Sequence, residues 1–112
     1  MKPPAACADI RDVRAAIDAL DDRLVDAIAE RVRYVERAAA LKPALGIPAH
    51  APERVAEVLA RVDKRAAAAG LPGDLAATLW RAMIEWSIAR ERALMGEGAS
   101  PISCGQVEER LR

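Results

Sequence analysis

From residue 9 to residue 42 the chain runs for 34 positions without a glycine or a proline, and this stretch limits the fold more than any other feature. Within it Ile10, Val13, Ile17, Leu20, Leu24, Ile28, Val35 and Ala38 recur at steps of three, four or seven. That spacing places apolar side chains along one face of a helix. A helix of about 32 residues is roughly 48 Å long at ~1.5 Å per residue, well beyond the ~30 Å of a small domain. The whole chain has 112 residues, one modest domain, and too little material to cover such a helix alone. The long helices of two copies are therefore expected to pair, each chain supplying the cover that the other lacks.

The rest of the sequence reads as two shorter helices. Pro43 is expected to end the first helix, since proline has no N–H to donate and disfavours the helical conformation in the residue before it. Residues 43–51 read as a loop marked by Gly46 and Pro48. Pro52 suits the first turn of a second helix, whose stripe of Val55, Val58, Leu59, Val62 and Ala66 leads to Gly70 as its stop. After the turn Leu71-Pro72-Gly73, Asp74 is the expected N-cap of a third helix that runs to about Met95 and closes at Gly96. Composition agrees: there are 26 alanines and no phenylalanine, so strand-forming residues are scarce and the fold class is all-α. Residues 1–8 are expected to be a flexible lead and residues 96–112 a disordered tail.

Several functions are disfavoured at once. Seventeen basic and 17 acidic residues cancel, which removes the basic footprint of a nucleic-acid binder. The polar faces mix both charges and lack the cationic bias with aromatic anchors of a membrane-surface helix. Cys7 and Cys104 have no second Cys or His at ligand spacing, so neither a disulfide framework nor a metal site is indicated. With no signal-peptide pattern at the start, a soluble protein of the reducing cytoplasm is expected. His50 stands alone in a loop, and Ser87 has no histidine to activate it, so covalent catalysis has no candidate set.

The informative residues are charges near apolar stripes. Arg14 lies between Ile10 and Ile17, and Arg31 between Ile28 and Val35, at helical spacing. Charges withdrawn from water need partners of opposite sign. Lys42 follows Arg31 by 11 residues, three full turns with about 20° of drift, so the two share a face. Arg14 precedes Arg31 by 17 residues, about 25 Å along the axis and turned by roughly 100°, so it cannot reach the same small ligand from the same helix, whereas an antiparallel helix pair could bring it from the other subunit. Glu91 intrudes on the stripe of Ile84, Ser87 and Ile88, and its structural alternative is pairing with Arg90, Arg92 or another arginine. Such a cationic set suits a concerted rearrangement or elimination of a small dianion, in which positioning and electrostatics do all the chemistry without a cofactor.

Taken in order, Asp12-Val13-Arg14-Ala15-Ala16-Ile17-Asp18, Arg31 with Tyr34-Val35, Lys42, Ile47-Pro48, Ala51-Pro52-Glu53-Arg54-Val55 and Ile84-Glu85-Trp86-Ser87-Ile88-Ala89 resemble the all-helical chorismate mutases. Within that family the sequence is most similar to the isochorismate pyruvate lyases of salicylate and siderophore synthesis. The resemblance covers residues 9–95 and implies an intertwined homodimer with two identical sites. It implies that Arg14 comes from the partner chain to hold one substrate carboxylate and that Arg31 holds the other. By the same matching, Lys42 donates to the ether oxygen, Arg54 helps bind and close the site, and Ser87 lines it near a carboxylate.

Mutases of the family carry an acidic residue three before the matching arginine and a Glu directly after it; here these positions are Ala51 and Val55, as in the lyases. Losing a carboxylate that recognises a substrate hydroxyl weakens selection for that substrate. The resemblance thus implies elimination of pyruvate from isochorismate to give salicylate, with chorismate rearrangement to prephenate as a side activity. The alternatives are a mutase proper, one acting on an amino analogue of chorismate, and a non-catalytic helical dimer or regulatory module. Glu91 stands where many relatives have Gln, and a carboxyl group donates a hydrogen bond only when protonated. Activity is therefore expected to rise below neutral pH. Pro43, directly after Lys42, is expected to stiffen the start of the loop over the site.

Overall fold

A computed structural model of the chain describes residues 2–96. These hold three α-helices and no strand: α1 over Ile10–Leu45, α2 over Pro52–Ala69 and α3 over Gly73–Met95. Among the described residues no helix is long and apolar enough to cross a membrane. The expected tail lies outside the described residues apart from Gly96, which ends α3 in the left-handed conformation at φ 75°.

Asp9 caps α1 by accepting a hydrogen bond from the Asp12 amide at 3.0 Å. Asp12 in turn accepts from the Ala8 amide at 2.9 Å and from Lys2 Nζ at 3.0 Å through Oδ2. The Ala8 bond first, and the Lys2 ammonium second, hold the Asp12 carboxyl below its ordinary range. A single 3-10 turn, Pro4–Ala6, precedes this cap.

Pro43 does not end α1 as expected; it lies inside the helix, which continues to Leu45. The stop belongs to Gly46, at φ 70°. Its amide donates to the Pro43 carbonyl, and the Ile47 amide donates to the Lys42 carbonyl, both at 3.1 Å. This pair of bonds is a Schellman closure. A proline one turn from the end removes a single backbone bond, the one toward Ala39, and leaves the rest of the ladder intact. Gly70 closes α2 in the same way, with Leu71 donating to Ala66 at 2.8 Å. The start of α3 is a second correction, because Pro72 and not Asp74 is its N-cap. Pro72 lies outside the helical region at φ -55° and ψ 132°, and its carbonyl accepts the first helical bond, from Ala76 at 3.1 Å. Asp74 falls in the first turn, where its charge still complements the exposed amides.

The chain divides after Tyr34 into two compact units. In the first, no described residue is buried, and Ile10, Val13, Ile17, Leu20, Leu24, Val25 and Ile28 are all exposed. Burying one such side chain is worth about 1.5–3 kcal/mol, so a stripe of this length withholds on the order of 10 kcal/mol, comparable with the whole stability of a domain. In the second unit α2 packs on α3 through the tight turn between them. Among the described residues its buried apolar side chains are alanines only, Ala39, Ala49, Ala66 and Ala76. Methyl groups let helix backbones approach closely.

Candidate active site

The polar centre of the second unit is built from the end of α1 and the last turns of α3. Lys42 stands in the final turn of α1, where the helix dipole favours a cation. Its Nζ donates to Glu91 Oε1 at 2.6 Å and to the main-chain carbonyl of Ala49 at 3.2 Å. The Lys42 and Glu91 side chains are 20% and 9% exposed, so the pair is largely withdrawn from water. Removing one member of such a pair strands the other charge, at a cost of about 3–5 kcal/mol. An ammonium has three N–H groups, and these acceptors use two of them.

Ser87 is buried one turn before Glu91 on α3; four residues apart, the two share a face. Beside them Arg90 grips Glu36 of α1 through Nε at 3.1 Å and Nη2 at 2.8 Å. That contact is half-exposed and fixes α3 against the end of α1 within this unit. It also corrects the structural alternative for Glu91: Arg90 is engaged by Glu36, and the partner of Glu91 is Lys42.

Of the six residues singled out by sequence, the structure thus joins Lys42 to Glu91 and sets Ser87 on the same face as Glu91. Arg54 is found in the first turn of α2, exposed, with Nη1 donating to Glu57 Oε1 at 2.7 Å. The flanking Ala51 and Val55 are half-buried and apolar. Arg14 and Arg31 belong to the first unit, Arg14 exposed and Arg31 half-buried on α1. His50 is exposed in the loop, as its isolation in sequence suggested.

Two participants lie outside the residues that the sequence singles out. A backbone carbonyl is common to every residue, so nothing marked Ala49 as a partner of Lys42. Glu57 was hidden among ordinary helix-surface charges, although its position three residues after Arg54 is the spacing at which such pairs meet. Chemically, the centre offers an ammonium donor held against a carboxyl group, with a buried hydroxyl one turn away on the same face of α3.

A profile of the family described as chorismate mutase type II matches residues 13–92. Among curated proteins, the isochorismate pyruvate lyase of Pseudomonas aeruginosa is 37% identical over 92 residues, which cover 81% of this chain and 89% of that enzyme. The T-proteins of Enterobacter agglomerans and Haemophilus influenzae are 34% and 33% identical over 84 and 82 residues. Those matches cover 75% and 73% of this chain but only 22% of either T-protein.

Proposed function

The chain belongs to the type II chorismate mutase family, and from that membership we propose that it is an isochorismate pyruvate lyase, with chorismate rearrangement to prephenate as its side activity. In this reading isochorismate breaks its ether C–O bond while a ring hydrogen passes to the enolpyruvyl methylene. The ring becomes aromatic salicylate, and the enolpyruvyl group leaves as pyruvate. All bonds that form or break lie in the substrate. The protein supplies orientation and charge, without a cofactor.

Arg31 and the Arg14 of a second copy would hold the two carboxylates, and Lys42 would donate to the ether oxygen as negative charge grows on it. Arg54 would leave Glu57 to close over the ligand, and Ser87 would line the pocket near a carboxylate. Glu91 accepts from Lys42 through one oxygen. When protonated, its other oxygen can donate to the same ether. The second copy is needed on physical grounds too, since the exposed stripe of the first unit requires a cover.

The observation that carries the choice of lyase is the apolar pair Ala51 and Val55 around Arg54. A site without carboxylates there has no acceptor for the hydroxyl that marks chorismate. The family itself favours a second reading, in which rearrangement of chorismate is the main activity.

The test is to supply purified protein with isochorismate between pH 5 and 8 and follow salicylate fluorescence. The lyase reading expects salicylate at a higher kcat/KM than prephenate from chorismate, rising toward acid pH, with Glu91→Gln flattening the profile. A larger kcat/KM on chorismate transfers the assignment to the mutase. Silence on both substrates would leave a non-catalytic dimer or an amino-substituted substrate.

A further inference from the structure

We propose that Lys42 is also a latch for the loop between α1 and α2, holding residues 46–51 in place through the Ala49 carbonyl while Glu91 anchors the ammonium. The inference concerns the resting protein and is independent of which reaction the site performs.

Gly46, Ile47, Pro48 and His50 are exposed, whereas Ala49 between them is 3% exposed. The loop is thus pinned inward at one residue. A buried carbonyl requires a donor, and the Lys42 ammonium provides one at 3.2 Å. Only two turns of structure flank this point: the Schellman closure at Gly46 behind it, and the Arg54 and Val55 amides donating to Ala51 ahead of it. Ala49 therefore lies where neither helix dictates the path of the chain.

Lys42 can hold the loop because it is itself held. A lysine side chain has several free rotations and loses their entropy on being fixed. The 2.6 Å bond to Glu91, buried on α3, fixes the ammonium independently of the loop. The order of support runs from α3 to Lys42 and then to Ala49. Three residues further on, α2 begins and carries Arg54 in its first turn. Whatever occupies Lys42 consequently alters the anchorage of the segment leading to Arg54, so a ligand that draws the ammonium from Glu91 also loosens or resets the loop.

The test is amide hydrogen exchange on the ligand-free full chain, comparing a peptide across residues 44–53 with one inside α2. Lys42→Met should speed exchange in the loop peptide about tenfold or more, the size expected for losing a hydrogen bond to a charged group. Glu91→Gln keeps an acceptor of the same shape and should speed it less, about threefold, and this variant carries the test should Lys42→Met fail to fold. Arg90→Ala, which breaks the neighbouring contact with Glu36, should leave the loop within twofold of the parent. Unchanged loop exchange in both Lys42→Met and Glu91→Gln would overturn the latch. So would equal acceleration in Arg90→Ala, which would mean that any loosening of α3 frees the loop.

Discussion

The two units of the chain solve the problem of burial differently. Residues 35–96 turn α2 back on α3, bury four alanines and enclose an ion pair whose members stand 49 residues apart in sequence. Residues 2–34 bury nothing, although their helix carries a longer and more regular apolar stripe. Apolar content is thus a poor guide to where a single chain has its interior. What decides is whether the unit itself holds a second helix to pack on the first. The first unit has apolar surface and no element of its own to place on it, which is the situation that association resolves.

The comparison can be broken most severely at the stripe. Leu24→Glu sets a charge in the middle of the face assigned to a second copy, and a charge buried there costs several kcal/mol. The expected outcome is loss of the dimer by analytical ultracentrifugation, with a large loss of helicity by circular dichroism. A variant that keeps both the parent mass and the parent melting temperature would show that the stripe is not covered by another copy.

A smaller and more selective effect tests whether the units of two chains complete each other. Arg14→Ala and Arg31→Ala should each retain the dimer and lose at least a hundredfold in kcat/KM, the scale of removing a key electrostatic contact. When the two variants are unfolded together and refolded at equal amounts, about half of the dimers are mixed, and each mixed dimer regains one intact site, giving about a quarter of parent activity. Activity no higher than that of either variant alone would place both arginines in sites built from one chain.

The smallest effect belongs to the cap of α1. The Asp12 carboxyl is held below its ordinary range, so its contribution to stability is present at neutral pH and is lost as pH falls through the depressed value. Asp12→Asn should lower the melting temperature slightly at pH 7, and the difference from the parent should vanish near pH 2. A difference that persists undiminished at low pH would show that the loss comes from packing and not from charge.

How much of this was legible in the sequence follows the range of the interactions. The stripe of α1 and the glycine stops at Gly70 and Gly96 are local patterns, and they gave the helices nearly to their ends. Pro43 does not stop α1 because the rule against proline concerns helix interiors, and a Schellman closure three residues later decides the end instead. Asp74 is not the cap because Pro72 caps α3 through its backbone, which leaves no side-chain signature. At the site, Glu91 was conspicuous as a carboxylate on an apolar stripe, and Lys42 as a cation in register with Arg31. That they bond each other depends on how α3 packs, and no spacing rule reaches across that distance. The carbonyl of Ala49 is invisible in principle to any reading of side chains.

That the buried apolar residues described in the second unit are all alanines limits which substitutions its helices tolerate. At Ala66 and Ala76, where α2 turns into α3, any larger residue overpacks the helices at about 1–3 kcal/mol, and glycine weakens a helix interior by roughly 1 kcal/mol. These positions are closed to drift in both directions. Change costs less at half-buried positions such as Ala51 and Val55, where a new side chain has room toward solvent and the helices beneath it keep their spacing.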